Sequence, residues 1–252
     1  MENNGRGTKA VGMANAFVAV SDNLWAVNYN PAGLAQITSI QCSAFIIPGQ
    51  FGLPELNTIT FTAAVPFPFG AVALKAEKFG FDLYKETEIG MSFARKFDKN
   101  ISGGLSLNHH RLDIAGYGSA QNILLNGGIL AHIINSVKIG FNFNNMTGAT
   151  IGRSGENISQ HLSLGVSWAP LYDLILSFEI EKDIRYPESI KCGIEKRVFD
   201  VVAFQFGTAN QPEKYSAGIT VIIPFFEFGY ACYSHTSLGW THQIEILFSL
   251  GG

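Results

Sequence analysis

The densest polar cluster in the chain is the stretch LNHHRLD, with His109, His110, Arg111 and Asp113. Imidazole and carboxylate groups this close could ligate a metal or relay a proton. Adjacent residues of a strand point to opposite faces, so His109 and His110 cannot both hold one ion without a bulge. The cluster therefore reads as a polar strand end or loop base. No Ser-His-acid spacing is legible. The glycines of LNGGIL and TGATIGRSG lack the strand-to-helix context of a phosphate loop. Cys42, Cys192 and Cys232 are odd in number, lack metal-type spacing and read as small apolar strand residues. Neither an enzyme, a metal site nor a cofactor is expected.

A second set of charges has a different character. Lys75, Glu77, Glu88, Lys138, Glu179, Lys191, Glu195, Glu227 and Glu245 recur on one face of segments whose other face is apolar. In ISQHLSLGVSWAP, Leu162, Leu164, Val166 and Trp168 alternate with His161, Ser163, Gly165 and Ser167. SVKIGFNFNN and LILSFEIEK repeat this period of two, the mark of a strand with two different faces. The less apolar face is rich in Gly, Ser, Ala, Asn and Thr rather than in long charged side chains, which distinguishes it from the wet face of a soluble β-sandwich. On such an inner face, opposite charges are expected to pair across neighbouring strands of a wet lumen.

Fourteen segments of this kind are centred near residues 42, 61, 74, 91, 105, 126, 141, 164, 177, 193, 205, 218, 229 and 244. Their spacing suits hairpins and leaves no room for crossover helices. Tight connections at 66–70, 96–100, 133–136, 169–173, 197–200 and 223–227 alternate with connections expected to be longer, such as IPGQFGLPELN, KFGFD, LDIAGYGSA, NNMTGATIGRSGENIS and ANQPEK. Several tight turns carry aromatics, as an interfacial girdle would. Hydrophobic residues make up 47% of the 252 residues and charged ones only 15%, against about 25% in ordinary soluble domains. The fold class expected is all-β: a 14-stranded antiparallel transmembrane β-barrel spanning residues 38–252. No segment reaches the ~18 consecutive apolar residues of a membrane-crossing helix. The net charge of −3 and the lack of a basic run leave no footprint for nucleic acid. MENNGRGTKA has no apolar core, so no secretory leader is expected within this chain.

Residues 1–37 do not alternate. Ser21 precedes DNLWAVNY as a candidate helix cap, and Asn30 followed by Pro31 is a second helix start. Two short helical turns result, and their apolar groups Met13, Phe17, Val18, Leu24, Trp25, Val27 and Tyr29 need a covering surface, of which the barrel interior is the nearest. A short helical N-terminal plug in the lumen is therefore expected.

The stretch KAVGMANAFVAVSDNLWAVNYNPAGLA, with its GM-x-x-AF segment, Ser-Asp pair and NPAGLA, resembles the N-terminal signature of the FadL/TodX outer-membrane transport proteins and their PorV/PorQ-like relatives. The resemblance implies a bacterial outer-membrane barrel, plugged by its N-terminal segment, that admits fatty-acid-like or hydrocarbon-like molecules by diffusion. It places the Asn-Pro-Ala motif on Asn30, Pro31 and Ala32, with Gly12, Met13, Phe17, Asp22 and Trp25 as further plug or gate residues. The partners it implies are membrane lipids and a hydrophobic small molecule. The alternative is a PorV-like scaffold or shuttle of a protein secretion system, with an outer-membrane protein partner and no small-molecule transport. An apolar cavity beside Phe17 and Trp25 would favour transport, and tight filling a scaffold.

Overall fold

The alternating segments pair into one closed antiparallel barrel of fourteen strands. The computed structural model describes residues 5–151 and 156–250. Residues 1–4 of the expected plug, 152–155 of the expected outer connection and 251–252 of the expected barrel unit lie outside the described residues. The strands are β1 (Ile40–Ile47), β2 (Thr58–Phe67), β3 (Gly70–Phe81), β4 (Tyr84–Lys96), β5 (Ile101–Ile114), β6 (Gly118–Ile134), β7 (Val137–Asn144), β10 (His161–Leu171), β11 (Leu174–Asp183), β12 (Ser189–Val198), β13 (Val202–Asn210), β14 (Glu213–Ile223), β15 (Phe226–His235) and β16 (Gly239–Leu250). β8 (Thr150–Ile151) and β9 (Glu156–Asn157) form a separate two-stranded ribbon. Each sequence neighbour is a hydrogen-bonded neighbour, and β1 closes on β16 with Ile40 opposite Leu250. Closure leaves no unpaired sheet edge.

The alternation has the polarity expected of a barrel. On β10, Leu162, Leu164, Val166 and Trp168 face outward and are exposed, whereas Ser163 and Ser167 face inward and are buried. Phe141 on β7, Phe178 on β11 and Ile246 on β16 are likewise outward and exposed, beside inward and buried Asn142, Glu179 and Glu245. The apolar side of the sheet is thus its outside, the inverse of a soluble domain.

The two ends differ less than the sequence suggests. At one end, tight turns carry exposed aromatics: Phe69, Phe97, Tyr172, Phe199 and Phe225. At the other, KFGFD, LDIAGYGSA and ANQPEK are mostly strand, because β3–β6 and β13–β14 run on to close in short turns. Only the connections between β1 and β2 and between β7 and β10 are long. No helix among the described residues is long and apolar enough to cross a membrane.

The N-terminal residues contain three short helices: α1 (Thr8–Gly12), α2 (Ala26–Tyr29) and a 3-10 helix (Pro31–Gln36). Asn30 caps the 3-10 helix, its Oδ1 accepting from the Ala32 N–H at 3.1 Å, and Pro31 occupies the first turn. Ser21 does not cap α2, because its hydroxyl turns back to donate to the Phe17 carbonyl at 2.8 Å. Asn23 takes the capping part instead, accepting from the Trp25 N–H at 3.0 Å. α1 has no side-chain cap and no acidic first turn, so the sequence carries no local signal for it.

Candidate functional site

The described N-terminal segment, residues 5–37, lies inside the barrel, nearer the tight-turn end. Its apolar groups divide between two packing surfaces. Leu24, Trp25, Val27, Leu34 and Ile37 pack on the inner wall of β1–β4 and β16, where Phe45, Leu247 and a set of alanines (Ala64, Ala71, Ala73, Ala94) leave room. Ala10, Met13, Phe17, Val20 and Tyr29 form the segment's own core, with Phe17 edge-on to Tyr29 at 5.3 Å between centroids.

On the opposite wall, the backbone itself touches the sheet. Gly104, Gly128, Gly140, Gly165, Gly193, Gly207 and Gly229, each on a different strand, face residues Thr8 to Ala32 so closely that a methyl group at any of them would overlap the segment, and Gly218 on β14 lies in close contact with Gly12. Glycine is required there for close approach, not for a turn.

Inward carboxylates fasten the polar side. Glu245 is buried and accepts the Thr8 N–H at 2.7 Å, the Thr8 hydroxyl at 2.8 Å, the Ser43 hydroxyl at 3.1 Å and the Trp25 indole N–H. Four donors solvate this carboxylate in place of water. Glu179 accepts the Phe17 and Val18 backbone N–H groups at 2.9 Å each and is paired with Lys191 at 3.2 Å. Glu77 holds Arg6, whose Nε donates at 2.7 Å. Lys9 bridges Asp22 and Glu195 at 2.8 Å each. Lys138 donates to the Val20 carbonyl at 2.9 Å. Burial works against the charge of Lys9, yet Asp22 and Glu195 outweigh it and hold the ammonium above the usual lysine range. Burial also opposes the Asp22 charge, but Lys9 and Lys138 hold that carboxyl below the usual aspartate range.

Every residue singled out in the N-terminal stretch falls within this one packed unit. Gly12 lies against Gly218, and Met13 against Gly193 and Gly207. Phe17 and Trp25 are fully buried. Asp22 pairs with Lys9. Asn30 Nδ2 donates to the Val18 carbonyl at 2.8 Å and to the Ile129 carbonyl of the wall at 3.0 Å. Pro31 and Ala32 pass over Gly104. Nothing in the sequence points to partners for Arg6, Thr8 or Lys9, and the inner charges are expected to pair with one another. Lys75 with Glu88 and Lys191 with Glu179 and Glu181 do so. Glu77, Glu195, Glu245 and Lys138 instead serve the N-terminal segment. His109 and His110 diverge as strand geometry requires, His109 outward beside Gln121 at 3.3 Å and His110 inward to Glu86 at 3.2 Å. The three cysteines are free.

Towards the longer-loop end the lumen opens into two cavities of about 520 Å³ each. One is floored by Ala14 and Asn15 and walled by Tyr186, Lys191, Lys214, Tyr233 and His235. The other is floored by Arg6, Val27 and Asn28 and walled by Lys75, Glu77, Phe79, Tyr84, Glu86 and His110, with Phe51 reaching in from the β1–β2 connection. His161 borders both. Both linings mix aromatic residues with hydrogen-bonding and charged ones, so the surface suits molecules with an apolar body and a polar tip. Neither Phe17 nor Trp25 lines either cavity.

No protein-family model and no curated protein sequence matches the chain. Among solved structures, it is similar to the CymD monoaromatic hydrocarbon channel, with a TM-score of 0.77 at 13% identity over 100% of this chain and 99% of that one. The Ralstonia pickettii toluene transporter TbuX gives a TM-score of 0.74 at 13% identity, covering 98% and 97% of the two chains. A Pseudomonas aeruginosa FadL homologue gives 0.66 at 12% identity, covering 96% of each. At these identities the likeness is one of fold, and the fold of this chain is that of the FadL/TodX-type channels.

Proposed function

We propose that the chain is an outer-membrane channel for passive uptake of small amphipathic or hydrophobic molecules, with the N-terminal residues up to 37 as a lumenal plug. The observation that carries this reading is the pairing of an exposed apolar outer wall with a lumen divided into an open outer half and a filled inner half. The wall matches lipid contact, and the exposed aromatics of the tight turns match a membrane interface. A molecule entering from the longer-loop side would rest in the two cavities above the plug. Named neighbours of the same fold are a monoaromatic hydrocarbon channel and a toluene transporter, which supports a cargo of that general kind. The polar lining of the cavities favours cargo with a hydrogen-bonding tip over a bare alkane.

The test is uptake by vesicles carrying the purified barrel, with a fatty acid, a monoaromatic hydrocarbon and an aromatic alcohol as probes. Uptake above that of empty vesicles, altered by deletion of residues 1–36, is expected. Rates equal to empty vesicles for all three would remove the transport reading.

The complete burial of Phe17 and Trp25 favours a second reading, in which the plug is a permanent fill and the barrel is a scaffold for another outer-membrane protein. A stoichiometric protein partner recovered from native outer membrane, together with no uptake in vesicles, would establish it.

A further inference from the structure

The outer wall carries a feature that passage through the lumen does not use. On the outward face of β1–β3 the side chains shrink to Ala44, Ala63 and Ala76, and between the larger Phe61, Leu74 and Ile89 they leave an apolar groove of about 630 Å³. The register locates its upper end. Ala76 pairs with Phe61 and Ile89, and two residues further along β3 the next outward side chain is Lys78. Lys78 lies opposite Thr87, which in turn pairs with Arg111. Lys85 stands one step higher, opposite Gly80. Three cations therefore crown the groove on its longer-loop side, at the level where the outward residues of β3–β5 change from apolar to polar.

The charge balance there is positive. Asp113 takes one side of the Arg111 guanidinium, through Nε and Nη2 at 2.8 Å each. Lys78 makes no ion pair among the described residues, while Lys85 stands opposite Asp113 in register and shares a surface hollow with Asp82, so three cations face two carboxylates. Across the barrel, Lys182 at the same rim is paired to Glu188 at 3.0 Å. A groove for a hydrocarbon chain capped by a lysine and an arginine matches a lipid whose headgroup carries net negative charge on phosphate, with arginine supplying forked donors and lysine a point charge.

We propose that this face binds one anionic, phosphate-bearing lipid of the longer-loop leaflet, its phosphate against Lys78 and Arg111 with Lys85 above, and one acyl chain in the groove over Ala44, Ala63 and Ala76, with phosphatidylglycerol as the probe. The proposal rests on the reading that the barrel spans a membrane. The test reconstitutes the full chain into vesicles of mixed phosphatidylcholine and phosphatidylglycerol, scores insertion by flotation, then extracts the protein into neutral detergent and counts retained lipid by native mass spectrometry. The wild type should retain one phosphatidylglycerol in preference to phosphatidylcholine. Lys78→Gln with Arg111→Gln should weaken retention by about fivefold per cation, roughly 25-fold together. Ala76→Phe, which fills the groove and leaves the cations in place, should also lower retention. Insertion with no headgroup preference, or with retention unchanged in both variants, overturns the lipid site alone. Failure of the wild type to float with vesicles overturns the membrane reading and this site with it.

Discussion

Glu179 on β11 accepts the backbone N–H of Val18 at 2.9 Å, although 161 residues separate them in the chain. The same oxygen takes the Phe17 N–H, and the other oxygen meets Lys191. A carboxylate on the barrel wall thus supplies the acceptor that two buried donors of the N-terminal segment would otherwise lack.

Glu179→Ala removes that acceptor and a partner of Lys191, which keeps Glu181 at 2.9 Å. The expected cost is about 3–5 kcal/mol, the range for breaking a buried pair. Glu179→Gln keeps an acceptor oxygen and should cost about 1–2 kcal/mol. Urea unfolding in vesicles reads the two costs. Hydrogen exchange should accelerate at Phe17 and Val18 before it does in the strands, and equal exchange in both variants and wild type would refute the fastening role.

Asn30 joins segment to wall through one amide: its nitrogen donates to Val18 and Ile129, and its oxygen accepts from Ala32. Asn30→Asp has nearly the same shape but no donor, so two carbonyls lose a partner and face a carboxylate. A loss of about 2–4 kcal/mol is expected, from two orphaned acceptors at about 1–2 kcal/mol each. Gly140→Ala attacks the same junction from the wall, since its methyl would meet the Val18 carbonyl and the Ala19 backbone. Overpacking of this kind costs about 1–3 kcal/mol. Protease digestion reads both changes: cleavage within residues 5–37 should appear while the strands stay protected.

The strands were legible because each needs only a period of two, and Ser163, Gly165 and Ser167 state it plainly beside Leu164, Val166 and Trp168. The Asn30–Pro31 cap was legible because its signal is local. The fastening contacts were not, because nothing in the sequence aligns Glu245 with Thr8 or Glu179 with Val18 until the barrel closes. Ser21 misled for a related reason: its hydroxyl had a choice between a cap and the Phe17 carbonyl, and a chain reversal with positive φ at Ser21 decided it. Inward glycines were visible as small residues, yet their contact with the segment backbone depends on a three-dimensional fit. KFGFD and LDIAGYGSA carry the Gly and polar residues of loops, yet pairing with neighbouring strands extends β3–β6 through most of them.

Lys9 and Asp22 predict a pH window. The Asp22 carboxyl is held below its ordinary value, so its contribution to stability is full above about pH 4, the unfolded range, and is lost as pH falls through the lower folded value. Lys9 is held above its ordinary value, so its contribution is full below about pH 10 and is lost only on further rise. Wild type should therefore exceed Asp22→Asn by a constant margin from about pH 5 to pH 9. The margin should shrink as pH drops below about 4. Paired unfolding curves across that range measure it. A margin that grows on acidification would contradict the assigned direction.

Phe199 sits in the β12–β13 turn with 92% of its surface exposed and a φ of 50°. Asp200 beside it has a φ of 56°, so the pair forms a hairpin turn whose backbone favours Asn or Gly. A bulky aromatic there costs about 1–2 kcal/mol of backbone strain. That strain is offset only if the ring gains more elsewhere, and a lipid interface supplies such a gain, because an aromatic buries about 150–250 Å², worth a few kcal/mol at ~25 cal/mol per Å². Phe199→Asn should therefore lower the stability of the barrel in vesicles by about 1 kcal/mol or more, despite its better turn geometry. Equal or greater stability of Phe199→Asn in vesicles would mean that this ring gains nothing from lipid, and the tight-turn end would no longer count as a membrane interface.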